Sequence, residues 1–342
     1  MVTGKEVAKL AGVAESTVSM VLNDIKSSNV SEKTRARIFE IARKLDYHPH
    51  SIGRSLSTGR TFNIAFVLYD IEYLGDIYPG EYFGRILSGI NEEVGLNDYN
   101  LQFAVTSQRS PACKNLYIFK KIAEGRMDGF LILDQAVSDG DIRKLKNKGV
   151  PFVLIDRYIP DKDIYCVFTH LEYGIEEIVK YLFKLGHRKM ALVITELSFE
   201  CNRRAINGYR AGLKKCGLKY NNIAESRNFS DLKSQIQKLV HSPNSPTAFI
   251  TSEDTTALWV INILNEFGIR VPQDISVTGT NDEDFTSFVN PQITTLSVGL
   301  RKIGKIAADI LFKLIANKKV KSTKISLKPK IIIRGSSGRT KD

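Results

Sequence analysis

Thr3-Gly4-Lys5-Glu6-Val7-Ala8-Lys9-Leu10-Ala11-Gly12-Val13 runs directly into Ala14-Glu15-Ser16-Thr17-Val18-Ser19-Met20-Val21-Leu22. Thr3 with Glu6 three residues later is a capping box, and Val7, Ala8, Leu10 and Ala11 give the helix it opens an apolar side. Gly12 breaks that helix, and Val13 plugs the gap to a second one. There Val18, Val21 and Leu22 fall on one face. A third helix opens at Ser31, a good N-cap, and buries Ile38, Ile41, Ala42 and Leu45 at helical spacing. Helix, Gly-containing turn, helix and a third helix closing a small core make a helix-turn-helix module.

The same residues carry a family resemblance. Val7 to Val13, Thr17-Val18-Ser19, Val21-Leu22-Asn23, Val30-Ser31-Glu32-Lys33-Thr34-Arg35 and Leu45-Asp46-Tyr47-His48-Pro49 resemble the signature of the lactose/galactose-repressor (LacI–GalR) family. Pro151 to Arg157, Leu185-Gly186-His187-Arg188-Lys189 and Val271 to Val277 continue it, so the likeness covers nearly the whole chain. It implies a DNA-binding head whose second helix enters the major groove. The exposed Glu15, Ser16 and Met20 are then the base readers, and Thr17, Ser19, Asn23, Ser31, Thr34 and Arg35 the phosphate-positioning groups. The family's usual Ser stands here as Ala14, which removes a cap worth about 1 kcal/mol. Its frequent Arg stands as Met20, which leaves only apolar contact.

His50 to Arg60 is too short to be a helix on its own, with Gly53 inside it. It resembles the family's hinge helix, which orders on DNA and pairs across a dimer. By that likeness Leu56 is the wedge for a minor-groove base step, with Arg54 and Ser55 beside it.

The chain has 342 residues, with 49 Lys+Arg against 37 Asp+Glu and 43% apolar residues. These fractions exclude a disordered, collagen-like or disulfide-stapled chain. Its formal charge of +12 is unevenly spread. Residues 1–60 hold ten Lys/Arg and six Asp/Glu, residues 317–342 hold nine and one, and the stretch between is balanced. The Lys-rich end reads as a solvated face, so the DNA argument rests on the modest N-terminal excess and its spacing. No apolar run approaches a membrane span, no leader pattern opens the chain, and four scattered cysteines fit a reducing compartment. The expected location is therefore cytoplasmic, without membrane contact.

From Phe62 onward short apolar runs alternate with amphipathic stretches. Asn63–Leu68, Leu101–Val105, Gly129–Leu133, Phe152–Ile155, Met190–Ile194, Ala248–Thr251 and Ser276–Gly279 read as strands. Phe83–Val94, Ile175–Leu185, Arg203–Lys215 and Thr256–Phe267 read as helices between them. This is α/β alternation with parallel sheets, long enough for two lobes. The resemblance implies a periplasmic-binding-protein-like pair crossed near Tyr158–Asp161, Phe288–Pro291 and Asn317–Lys321. The expected division is a head at 1–47, a hinge at 48–60, an N-terminal lobe of 61–158 with 291–320, and a C-terminal lobe of 159–290 with 321–342.

No P-loop, nucleophile elbow, dinucleotide fingerprint or metal-ligand spacing is present, so neither enzyme nor cofactor nor metal is expected. Ligands of open α/β sheets bind beyond the strands' carboxyl ends. That geometry and the resemblance select Asp156, Arg157, Tyr82, Phe83, Arg204, Glu253 and Asn281 for a sugar-like effector. The family's effector Arg falls at Ala205, one residue past Arg204, and its Gln falls at Val298. The expectation is a repressor of carbohydrate-utilisation genes that binds a pseudo-palindromic double-stranded DNA operator as a homodimer. A co-regulator governed by a phosphoprotein and a solute-binding receptor are the alternatives.

Overall fold

The computed structural model describes residues 2–22, 30–47, 54–55, 58–69, 80–106, 124–134, 136–195, 200–226 and 228–341. They fall into two compact units, residues 1–63 with 121–128, and residues 64–120 with 129–342.

In the first unit, α1 (Gly4–Ala11), α2 (Glu15–Leu22) and α3 (Glu32–Lys44) surround one small core. The Glu6 carboxylate accepts the Thr3 backbone N–H at 2.7 Å and its hydroxyl at 3.1 Å. Gly12, at φ +62°, ends α1 in the left-handed region that glycine enters without a Cβ penalty. Ser31 caps α3 by accepting the Thr34 N–H at 3.2 Å. Val7, Ala8, Ala11, Val18, Val21, Ile38 and Ala42 are buried, with Ile41 and Leu45 packed half-buried beside them. Each fully buried Val or Ile contributes about 1.5–3 kcal/mol, and a core this small needs all of them. Further along, the Asp128 carboxylate accepts the Thr61 N–H and hydroxyl, both at 2.8 Å, and the Phe62 N–H at 3.0 Å.

The second unit continues through β1 (Asn63–Tyr69), α4 (Gly80–Leu96), β2 (Asn100–Thr106), β3 (Gly129–Leu133), α5 (Asp139–Asn147), β4 (Phe152–Ile155) and β5 (Tyr165–Thr169). It goes on with α6 (Leu171–Lys184), β6 (Met190–Ile194), α7 (Glu200–Lys215), β7 (Asn222–Glu225), α8 (Phe229–Val240), β8 (Ala248–Thr251), α9 (Asp254–Glu266) and β9 (Ser276–Thr280). A short 3-10 turn (Asp284–Ser287), β10 (Thr294–Ser297), α10 (Leu300–Ile315), β11 (Lys324–Leu327) and β12 (Lys330–Ile332) complete it. Two six-stranded sheets result, ordered β11-β5-β4-β3-β1-β2 and β12-β10-β9-β8-β6-β7. The β1–β3, β3–β4, β4–β5 and β5–β11 ladders are parallel, and β12 joins β10 antiparallel. The strands β3, β4 and β6 are buried at every position, the mark of parallel strands covered on both faces.

The sheets are wired differently from the expected crossings. β5 stays in the first sheet and β10 in the second, while β11 and β12 go one to each. Helix α6 packs on α7, β10 and β12, and α10 packs on α4, β3, β4 and β5. The chain therefore changes sheet after Thr169, between Ser297 and Leu300, and between Leu327 and Lys330, rather than near Tyr158, Phe288 and Asn317. The physical reason differs between the two strands: β10 (Thr294-Thr295-Leu296-Ser297) has a single apolar residue and shows no apolar run, while the apolar run Tyr165-Cys166-Val167-Phe168 of β5 does not say which sheet it joins. Where α4 crosses α10, a Cβ added to Gly304 would lie 2.1 Å from the Ile86 carbonyl oxygen, so the helices meet backbone to backbone. In the Lys-rich segment, Lys318, Lys319, Lys321, Lys328 and Lys330 are exposed, as expected, whereas Lys324 in β11 is half-buried with its ammonium donating to the Ile164 carbonyl.

Candidate nucleic-acid interface and effector cleft

Helix α2 turns Val18 and Val21 into the head's core, so its opposite face is open. Glu15 and Ser16 are exposed on its first turn, and Thr17, Ser19 and Met20 are half-buried. Ala14, standing where a capping side chain belongs, offers only its carbonyl, which accepts from Thr17 at 2.9 Å and Val18 at 3.2 Å. The Glu15 carboxylate leans towards the start of α1, with Oε1 3.3 Å from where a Gly4 Cβ would stand. On α3 the Ser31 and Thr34 hydroxyls bond each other at 2.9 Å, and Arg35 follows half-buried. Arg54 and Ser55 lie in a helical turn in which the Thr58 hydroxyl donates to the Arg54 carbonyl at 2.8 Å. The Arg54 guanidinium lies 3.5 Å from the centre of the Phe62 ring. Asn23 and Leu56 lie outside the described residues.

In the second unit, polar side chains converge at the carboxyl ends of β3, β4, β6 and β8. Asp156 sits just past β4 at φ +55°, its N–H donated to the Val167 carbonyl at 2.8 Å. Its carboxylate accepts the Tyr82 hydroxyl at 2.9 Å and the Thr169 N–H at 3.2 Å. Arg204 Nη1 stands 3.9 Å away, and the guanidinium is 5% exposed. Arg204 Nε and Nη2 donate to the two Glu172 oxygens at 2.9 and 3.1 Å, and Nη2 also donates to the Thr169 carbonyl. Among the described residues Nη1 has no hydrogen-bond partner.

Burial and the charges of Asp134, Asp156 and Glu253 push the Cys201 thiol well up, so it stays protonated. Burial pushes the Glu253 carboxyl up to about 7, against a 3.4 Å bond from the Thr195 hydroxyl. Asn202 in turn donates to that hydroxyl at 3.2 Å. Burial, then the Asp156 charge, raises the Tyr82 hydroxyl above its ordinary range. The arrangement offers hydroxyl-type donors and carboxylate acceptors side by side, which suits the binding of a polyhydroxy ligand.

Tyr82, Asp156, Arg204 and Glu253 are thus brought together. Phe83 is not: its ring stacks on the buried Phe66 at 5.5 Å and 5°, part of the core beneath. Arg157, expected at the ligand, is a brace instead. Its Nη1 donates to the carbonyls of Asp134 at 3.2 Å and Val137 at 2.5 Å, and Nη2 pairs with Asp139. Asn281 sits half-buried past β9, held by its N–H on the Leu296 carbonyl at 2.9 Å. Ala205, at the family's Arg position, is fully buried, and Arg203 is exposed and paired with Glu200.

Glu172, Cys201 and Asn202 were missed by sequence reasoning. The signal for Glu172 lies in Gly208, where an added Cβ would stand 2.4 Å from the Glu172 carbonyl oxygen. Such close approach of α6 and α7 sets Glu172 opposite Arg204. Asp254 is fully buried, accepting the Thr295 hydroxyl at 2.5 Å and the Glu283 N–H at 2.8 Å. Burial pushes its carboxyl up to about 8 and that of Glu283 up to about 7, the charge of Glu81 adding to the latter.

Comparison with known proteins agrees with this architecture. The family described as "Bacterial regulatory proteins, lacI family" matches residues 3–50, and the "Periplasmic binding protein-like domain" matches residues 179–337. The chain is 29% identical over 343 residues to the probable HTH-type transcriptional repressor ExuR of Bacillus subtilis, covering 99% of each chain. A Lac repressor dimer bound to operator and the anti-inducer ONPF shares the fold at a TM-score of 0.83, with 24% identity over 98% of this chain and 99% of that one. A transcriptional regulator CelR–cellobiose complex shares it at 0.71, with 23% identity over 98% of this chain and 100% of that one. With the head, the two sheets and both matched segments in one order along the sequence, the chain carries a segment of the lacI family of bacterial regulatory proteins at residues 3–50 and a periplasmic-binding-protein-like segment at residues 179–337.

Proposed function

We propose that the protein is a cytoplasmic, sequence-specific transcriptional repressor of carbohydrate-utilisation genes, and not an enzyme. It binds a pseudo-palindromic double-stranded DNA operator as a homodimer, and a sugar-like effector held beside Asp156 changes that binding. The observation that carries the reading is the outer face of α2, with Glu15 and Ser16 exposed and Met20 half-buried on a helix whose other face is locked into the core. Those three read base edges, and Thr17, Ser19, Asn23, Ser31, Thr34 and Arg35 hold the phosphates. Leu56, flanked by Arg54 and Ser55, enters the minor groove. A head of residues 1–47 on a hinge of 48–60 leaves the rest of the chain as the sensor.

The effector works by preferring one arrangement of the two sheets over another, since only differential affinity shifts an equilibrium. The paired strand-end groups around Asp156 support that placement. Selection of duplexes from a random pool by the full-length protein, followed by salt titration on the enriched duplex, tests the proposal. A two-fold-symmetric motif with salt-dependent affinity is expected. Recovery of no preferred sequence refutes it.

A further inference from the structure

The choice between neutral and acidic ligands is set by how Arg204 is already engaged. An arginine recognises a carboxylate or phosphate best through two parallel N–H donors, the fork of Nε with Nη2 or of both terminal nitrogens. Here Glu172 occupies the Nε and Nη2 donors at 2.9 and 3.1 Å, and the Thr169 carbonyl also accepts from Nη2. What remains is Nη1 alone, on a side chain 95% buried by its 5% exposure, with no hydrogen-bond partner among the described residues. A buried donor without a partner is costly, so Nη1 points to an acceptor atom supplied by a ligand. That acceptor would have Asp156 3.9 Å from the donor, with its carboxylate already holding Tyr82. Asp134 and Glu253 lie close enough for their charges to act on the neighbouring Cys201 thiol. The other arginine at this edge, Arg157, has its terminal nitrogens turned away onto two carbonyls and Asp139.

We propose that this cleft takes a neutral, hydroxyl-rich ligand and rejects its carboxylate- or phosphate-bearing counterparts, and that Glu172 sets this preference by holding the Arg204 fork. A hydroxyl or ring oxygen accepts from Nη1, while its neighbouring hydroxyls donate to Asp156. An anionic group at the same point finds one terminal nitrogen instead of a two-nitrogen fork, and a carboxylate beside it. The inference rests on the effector reading above, and it deepens that reading by naming the ligand class. The relation between Glu172 and Arg204 is fixed by the backbone, since the Gly208 contact holds α6 against α7.

The test is a thermal-shift and calorimetric panel on the full-length protein. The probes are glucose, galactose, xylose and cellobiose against glucuronate, galacturonate and glucose 6-phosphate. A neutral member should raise the melting temperature with concentration while its acidic counterpart does not. In Glu172→Gln the fork is partly released, and the ratio of acidic to neutral affinity should rise at least about tenfold. Acidic members binding the native protein as tightly as neutral ones overturn the proposal without touching the effector reading. An unchanged ratio in Glu172→Gln overturns the role of Glu172. Failure of every sugar to bind either protein overturns the inference and the effector reading together, leaving the DNA-selection result to stand or fall by itself. The native panel needs no variant, so a misfolded Glu172→Gln does not shelter the claim.

Discussion

Replacing Asp254 with Asn should remove a large part of the body's pH dependence. The Asp254 carboxyl is fully buried at the start of α9, and burial lifts it from an ordinary 3.8 to about 8 despite two hydrogen bonds that favour the charged form. Between those values the native state holds a proton that the unfolded chain has released, so stability falls as pH rises through the window. The contribution is complete below pH 4 and lost by about pH 8. At 1.36 kcal/mol per pH unit, the loss from pH 5 to pH 8 is about 4 kcal/mol. Asn keeps the shape, can accept the Glu283 N–H and can donate to the Thr295 hydroxyl, but it has no proton to lose. Trp259, the sole tryptophan, lies on the same helix and packs edge-on against Phe229 at 5.9 Å, so its fluorescence follows this lobe in urea. The native protein should lose about 4 kcal/mol more than Asp254→Asn between pH 5 and pH 8. Parallel pH profiles, within about 1 kcal/mol, would refute the assignment of a buried, protonated acid. Glu253 and Glu283, both lifted to about 7, keep their own fall between pH 4 and 7 in both proteins.

Other substitutions test other parts. Ala14→Ser restores a cap to α2 and should stabilise the head by about 1 kcal/mol, read as roughly fivefold slower amide exchange at Val21 and Ile38. Arg35→Ala should weaken binding to all duplexes alike and lower the salt slope by about one, whereas Ser16→Ala should change which sequence is preferred. Tyr82→Phe deletes the 2.9 Å bond to Asp156 and should cost about 1–2 kcal/mol in stability, seen as a lower melting temperature. Gly304→Ala drives a methyl into the Ile86 carbonyl and should cost at least about 1–3 kcal/mol by urea titration. Gly84→Ala, on α4 with nothing within 4 Å, should be neutral or gain up to about 1 kcal/mol.

The head was legible because a three-helix core writes its period directly: the buried Val7, Val18, Val21 and Ile38 recur where a helix must turn inward. The long buried strands were legible for the same reason, since Met190 to Ile194 has no polar residue to hide it. β10 was not, because its neighbours in the sheet make a strand of Thr294-Thr295-Leu296-Ser297, and β5 was passed over although Tyr165 to Phe168 is an apolar run. The site divides along a similar line. Asp156 could be read from its place after an apolar run, but Phe83 and Arg157 could not be separated from it, because the sequence does not say which side chains the core and the loops will claim. Arg203 and Arg204 are adjacent and alike in composition. Only the turn of α7 makes one exposed and the other 5% exposed against Glu172.

Strands β11 and β12 are separated by two residues, Lys328 and Pro329, yet each closes the edge of a different sheet. This has a consequence for the order of events during synthesis. The head precedes both and can fold as soon as residues 3–45 have emerged from the ribosome. Neither sheet of the sensor can take its final edge until residues 324–332 follow, some three hundred positions later. A nascent chain thus carries a finished reader on an unfinished sensor. A premature stop a few codons before Lys324 would strip one strand from both lobes at once, where the same cut in a protein with sequential domains would spare the first.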